Sequence, residues 1–342
     1  LMGAEREKWI EEHRKGQEEL RRAFIRGEQE RRLEPIVEVR RERREKPQSE
    51  VIAPLHTGRV VFSEVEIEAV EPLIDWNFFF HAWGLKGHYP DLFDHPERGE
   101  EARKLFADAE AMLQRIKQEK RLRLQGVVGI FPAKRIKETI LLSDPKGKEY
   151  KLPMLRNQTR GEEHLSLVDF VATKGDWMGC FALSAGIGLQ PFAEELRQAG
   201  DDYSALLAKL LADRLTEAFA EYVHRFVRRE MWGYAAEENL SPQQIIRGEY
   251  RGLRMAFGYP ATPDHALKRP IFDLLRVEQF TAMRLTENFM IDPGEALCGL
   301  MLSDARYFSV GAIDQKQLLD YARAWGVEPE EIRRRLPNNT LS

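Results

Sequence analysis

The stretch GVVGIFPAKRIKETILLSDPKGKEYKLP, residues 126–153, decides the fold class. Its opening, GVVGIFP, is a short apolar run ended by proline, which predicts a buried strand. Its second half places two strand-like segments around Asp-Pro-Lys-Gly at 144–147, which predicts a hairpin. Working outward, VVFSEVEIEAV (60–70) alternates apolar and polar residues and reads as a strand. LVDFVA (167–172) and DWMGCFALSAG (176–186) are further candidates, as are segments near RLTENFMI (284–291) and YFSVGAI (307–313). Between them lie helical patterns. Residues 99–120 are amphipathic, with Leu105, Phe106, Ala109, Met112, Leu113 and Ile116 on one stripe. Residues 203–231 form the longest helix, with Leu206, Leu210, Leu211, Leu215, Phe219, Tyr222 and Phe226 inward. SPQQIIRGE opens another with Ser241 as N-cap, and IFDLLRVEQF and DQKQLLDYARAWG follow. The strands are few, short and scattered without a βαβ rhythm. An α+β fold with a mostly antiparallel sheet is expected, not a doubly wound one.

The chain has 342 residues, enough for one large domain or two average ones. Acidic and basic residues number 56 and 52, and the net charge of -4 argues against a dedicated nucleic-acid binder. Cys180 and Cys298 stand far apart without ligand-like spacing, as expected of buried, reduced thiols in a cytoplasmic protein. No apolar run reaches membrane-spanning length, and LMGAEREKWIEEHRK lacks the apolar core of a signal peptide. The initial Leu suggests a piece of something longer. Residues 1–57 are expected to be a charged helical linker or docking arm, with RRERREK at 40–46 as a basic element within it. Residues 58–342 are expected to be the globular domain.

Chemical signatures are mostly absent. No phosphate-binding loop or dinucleotide fingerprint is complete, and no HExxH or nucleophile elbow occurs. The histidines are dispersed, so no metal site is expected. What stands out is EYRGLRMAFGYPATPDH at 249–265, where one arginine, Arg254, lies in apolar company before Gly258, Tyr259 and Pro260. It reads as irregular backbone shaped to hold something. Asp75 is likewise the one anion in LIDWNFFF (73–80), and Glu217 lies in DRLTEAFAEYVH (213–224). Asp75 either caps a helix or, with Glu217, meets Arg254. Alternatively the three surround a zwitterion, with acids for an ammonium and the guanidinium for a carboxylate.

These fragments, together with GVVGIFPA, LVDFVA, the RxxxGYP motif, PDH, LTENF and YFSVG…DQ…DYARAWG, occur in one order that resembles the C-terminal activation domain of cobalamin-dependent methionine synthase. The resemblance runs from about Val60 to Pro337. It implies a C-shaped single domain with a twisted, mostly antiparallel sheet and surrounding helices. It also implies an S-adenosylmethionine site. Arg254 would take the methionine carboxylate, Asp75 the α-ammonium, and Glu217 would be a further acidic neighbour. Ala256, Gly258 and Tyr259 would lie against the ligand, and Tyr307 and Phe308 match the family's tyrosine pair. The family's activity is a methyl transfer to cobalamin held on another domain or chain, with the electron supplied by flavodoxin or an equivalent reductase. No cobalamin motif, homocysteine zinc site or folate barrel is recognisable here, so no catalytic residue is expected and the chain would not turn over alone. Three departures matter. Met255 and Phe257 replace prolines of the family pattern and leave amide donors in need of partners, Phe308 replaces a tyrosine, and the loop MLSDARYF is short. They leave open a non-catalytic docking module for a corrinoid protein or a flavodoxin-type reductase.

Overall fold

The computed structural model describes residues 33–340. The expectation of a helical arm over residues 1–32 lies outside the described residues. The chain divides into two compact units. The larger comprises Arg44–Met154 and Leu167–Phe308; the described residues of the smaller are 33–43, 155–166 and 309–340. The segment read as one charged arm is therefore shared between the two.

The larger unit is built on a seven-stranded sheet in the order β4-β3-β2-β5-β9-β6, with β1 also paired to β2. Its strands are β1 (Gly58–Val65), β2 (Arg123–Ile136), β3 (Thr139–Ser143), β4 (Glu149–Pro153), β5 (Asp176–Ile187), β6 (Leu253–Ala256) and β9 (Ala296–Leu302). Every pairing is antiparallel. The hairpin of β3 and β4 forms as its turn chemistry demands. Asp144 Oδ1 accepts from the Lys146 and Lys148 amides at 2.8 and 2.9 Å, and Gly147 takes a positive φ of 81°. Against expectation, Pro132 does not end β2. Along one side of β2, β1 opposes residues 124–130 and β3 opposes 133–136, so Pro132 falls between them, where no ladder N–H is needed.

Helices α1 (Trp76–Ala82), α2 (Gly99–Gln118), α3 (Leu189–Gln198) and α4 (Asp202–Phe226) belong to this unit, followed by the short α5 (Pro242–Ile246) and α6 (Lys268–Leu275). Their apolar stripes and one face of the sheet form the core, in which Val128, Ile130, Phe181 and Leu183 meet Leu211, Leu215 and Phe219. Beyond α4 the chain widens into a π turn over Val227–Met231, and Ser241 closes a reciprocal capping box with Gln244 at α5. Leu206, read as inward, is 56% exposed, and its neighbour Leu207 is buried instead.

Three strand expectations fail. Leu167–Phe170 is a 3₁₀ turn, RLTENFMI yields only the two-residue pair β7 (Arg284–Leu285) and β8 (Ile291–Asp292), and residues 307–313 form no strand. A run of β-formers pairs only where a partner backbone is offered.

The smaller unit packs α7 (Gln315–Trp325) and α8 (Pro329–Arg335) around a buried amide. Gln317 exchanges hydrogen bonds with the Arg156 backbone at 2.7 and 3.0 Å and donates to Gln158 at 2.6 Å. Here Arg40 of the basic element pairs with Asp320 at 2.6 Å. Lys46, in the larger unit, is buried against Asp176 at 2.8 Å. Among the described residues no helix is long and apolar enough to cross a membrane, and no cluster of ligand-type side chains could hold a metal ion.

Candidate functional site

Helix α4 places Glu217 and Glu221 four residues apart, on one face. That face looks toward β6, the sheet's edge strand, which carries Arg254. The Arg254 Nη2 lies 2.9 Å from Glu221 Oε1 and 3.5 Å from Glu217 Oε2. The arginine side chain is only 12% exposed, and its Nε has no hydrogen-bond partner among the described residues. Burial opposes its charge, but Glu221 and Glu217 outweigh burial and raise its pKa.

The stretch around Arg254 is not irregular backbone. Leu253–Ala256 pairs with β9 in register, Arg254 opposite Met301 and Ala256 opposite Gly299. Met255 and Phe257, which stand where prolines would, make this possible: Met255 faces Leu300 in the ladder, and the Phe257 amide donates to the Cys298 carbonyl at 2.9 Å. The chain then turns. Gly258 sits at φ 96° and its amide donates to the Thr262 carbonyl at 2.8 Å. A Cβ there would lie 2.4 Å from His265 Cε1, so both the backbone and the space call for glycine. The Ala256 carbonyl accepts from Thr262 Oγ1 at 3.0 Å. Tyr259, 47% exposed, points its hydroxyl at Glu217 Oε1 across a long 3.5 Å. Burial and then Glu217 raise its pKa.

Asp75 is the N-cap of α1, its Oδ1 accepting from the Asn77 amide at 2.9 Å. It does not pair with Arg254, which is held by the two glutamates. Its helix nevertheless borders α4 one turn before Glu217, where the Arg214 guanidinium lies 5.7 Å from the centre of the Phe78 ring. Tyr307 is 54% exposed, whereas Phe308 is buried with its ring 6.3 Å from that of Phe170. The structure thus gathers Glu217, Arg254, Ala256, Gly258 and Tyr259 around one sheet edge.

Three neighbours escaped the sequence reading. Glu221 is one, although its spacing from Glu217 was visible. His265, whose ring backs Gly258, accepts at Nδ1 from the nearly buried Lys268 ammonium at 2.6 Å, and burial and the lysine charge lower its pKa. The third is His224, fully buried, with its ring 4.9 Å from that of Tyr250 and neither nitrogen hydrogen-bonded among the described residues. Burial first, then the charges of Arg228 and Arg254, push its pKa well below the ordinary imidazole value. The native ring stays neutral where the unfolded ring takes a proton. Stability therefore falls as pH drops below about 6.5, by up to about 1.4 kcal/mol per pH unit from this group. In urea titrations at neutral and mildly acidic pH, His224→Leu is expected to flatten that slope; an unchanged slope would assign the acid sensitivity elsewhere.

Comparison with known proteins identifies the family. Residues 66–326 match the family model described as vitamin B12 dependent methionine synthase, activation domain. The structure is also similar to a solved one, the crystal structure of the MetH reactivation domain bound to AdoHcy, at 38% identity and a TM-score of 0.86. That match covers 91% of this chain and 99% of the other. The antiparallel sheet, its helices and the family match over most of the chain lead to one assignment: the chain belongs to the activation-domain family of vitamin B12-dependent methionine synthase.

Proposed function

We propose that this chain binds S-adenosylmethionine at the edge of β6 and holds its sulfonium methyl group for transfer to cobalamin carried by a partner domain. The observation that supports this most is the donor set. A nearly buried arginine, its Nε unpartnered among the described residues, lies beside two carboxylates, and the next turn is a glycine that lets backbone approach a ligand closely. An α-amino acid end matches it: a carboxylate for the guanidinium, with acids close by for the ammonium. Arg254 would hold the carboxylate and Asp75, at the start of α1, the ammonium. Glu217 would face the cationic part of the ligand. Ala256, Gly258 and Tyr259 would border the adenosyl part, with Tyr307 and Phe308 further along the chain.

Methyl transfer from a sulfonium needs an in-line approach and no proton transfer from the protein, so the work of these residues is orientation. The nucleophile belongs to the cobalamin-binding domain, with which the activation domain works in this family. A flavodoxin-type reductase is the fitting electron source, and a cytoplasmic setting suits two buried, unpaired cysteines. Calorimetric titration of the purified chain with S-adenosylmethionine and with S-adenosylhomocysteine tests this reading. Saturable binding of both at one site is expected. A folded chain that binds neither overturns the reading and leaves a docking role.

A further inference from the structure

The two carboxylates beside Arg254 are not equivalent. Glu221 is the closer, at 2.9 Å, and is 15% exposed; Glu217 is 3.5 Å away and 33% exposed. Glu221 Oε1 also accepts from the Tyr250 hydroxyl at 3.2 Å. Tyr250 is itself fixed on two sides. The Arg228 guanidinium lies 4.0 Å from its ring centre, and the edge of His224 packs against it. Arg228 in turn grips Glu238 through Nε and Nη2, at 2.8 and 2.5 Å. A chain of buried charge-assisted contacts therefore runs from Glu238 to Arg254, and Glu217 stands outside it, next to the exposed Tyr259.

We propose that Glu221, held by the Tyr250 hydroxyl, is the positioning residue that fixes the Arg254 guanidinium for the carboxylate of the ligand. Glu217 is the exchangeable neighbour, able to turn from Arg254 to the ligand's cationic part. A guanidinium recognises a carboxylate through a planar fork, and the fork discriminates only if its plane is set beforehand. One carboxylate oxygen that accepts from both Arg254 and a locked tyrosine sets that plane. The inference rests on the functional reading above.

The test uses two ligands on the full chain: S-adenosylhomocysteine, which has the amino-acid end, and 5′-methylthioadenosine, which lacks it. Both substitutions are conservative: Tyr250→Phe removes only a hydroxyl, and Glu221→Gln keeps an acceptor. Tyr250→Phe is expected to weaken S-adenosylhomocysteine by about 2- to 10-fold, the worth of one hydrogen bond. Glu221→Gln is expected to weaken it by about tenfold or more, because the guanidinium is no longer held in place before the ligand arrives. Neither should change 5′-methylthioadenosine by more than about twofold, because that probe never meets Arg254. Parallel loss of both ligands would show a merely structural role and overturn the inference, as would no loss of either. A wild-type chain that binds neither ligand brings down the functional reading, and this inference with it; the two failures are thus told apart by the wild-type titration.

Discussion

Arg254→Ala is expected to weaken S-adenosylmethionine binding by about 2–5 kcal/mol, roughly thirtyfold to several thousandfold. The size follows from what the residue does in the absence of ligand. It is nearly buried, it neutralises Glu221 and Glu217, and its Nε has no hydrogen-bond partner among the described residues. Alanine removes the guanidinium proposed to hold the ligand carboxylate and, among the described residues, leaves Glu221 mostly buried with the Tyr250 hydroxyl as its hydrogen-bond partner. The variant should therefore also lose stability, by about 1–3 kcal/mol, less than a fully buried pair because both partners keep some solvent. Arg254→Lys separates the two effects. An ammonium can still compensate Glu221, so the stability loss should shrink, but it lacks the planar fork, so most of the affinity loss should stay. Calorimetry together with urea unfolding of both variants decides the matter. Affinity in Arg254→Ala equal to wild type would remove this residue from the site.

The second large effect is expected at a residue that is not itself a proposed ligand contact. A Cβ added at Gly299 would lie 1.9 Å from the Met255 carbonyl oxygen and 2.8 Å from the Ala256 Cα. Both obstacles are backbone of β6, so no side chain can move aside. Gly299→Ala must push β6 away from β9, at an expected cost of about 2–4 kcal/mol. Because β6 carries Arg254 and leads into Gly258, ligand affinity should fall with stability although Gly299 is not a proposed contact. Gly294→Ala is the control. An added Cβ there meets nothing within 4 Å, so its stability should stay within about 0.5 kcal/mol of wild type. If Gly299→Ala unfolds at the same urea concentration as Gly294→Ala, close approach of the two strands is not what holds Arg254 in place.

The sequence showed the elements whose signals are local. The β3–β4 hairpin could be read from its turn residues, α2 and α4 from their apolar stripes, and α5 from its N-cap serine, Ser241. Arg254 and Gly258 could be singled out because a charge in apolar company, or a glycine after such a run, needs a reason, whereas Glu217 gained a role only through the family resemblance. What could not be read was decided by partners distant in sequence. The edge strand around Arg254 looked irregular because Gly258 and Pro260 follow it at once, and only β9 makes Leu253–Ala256 a strand. Pro132 looked like a terminator because nothing local shows that neither β1 nor β3 bonds to that position. Leu206 and Leu207 are chemically alike, and only the packing around α4 turns one outward. Glu221 was overlooked for the opposite reason: on an exposed helix a second glutamate at that spacing is ordinary, and its role appears only once Tyr250 and Arg254 are seen to meet on one of its oxygens.

The central pair of strands has a practical side. Cys180 on β5 and Cys298 on β9 are diagonal neighbours, Cys180 lying opposite Leu300 and Cys298 opposite Ala182, and both are fully buried. Burial first raises both pKa values, so neither thiol is a nucleophile while the sheet is closed. The β5–β9 seam is also what supports β6 and, through it, Arg254. The protein therefore carries its own chemical reporter: the rate at which a thiol reagent labels it measures how often the platform beneath the site comes apart, with no engineered probe.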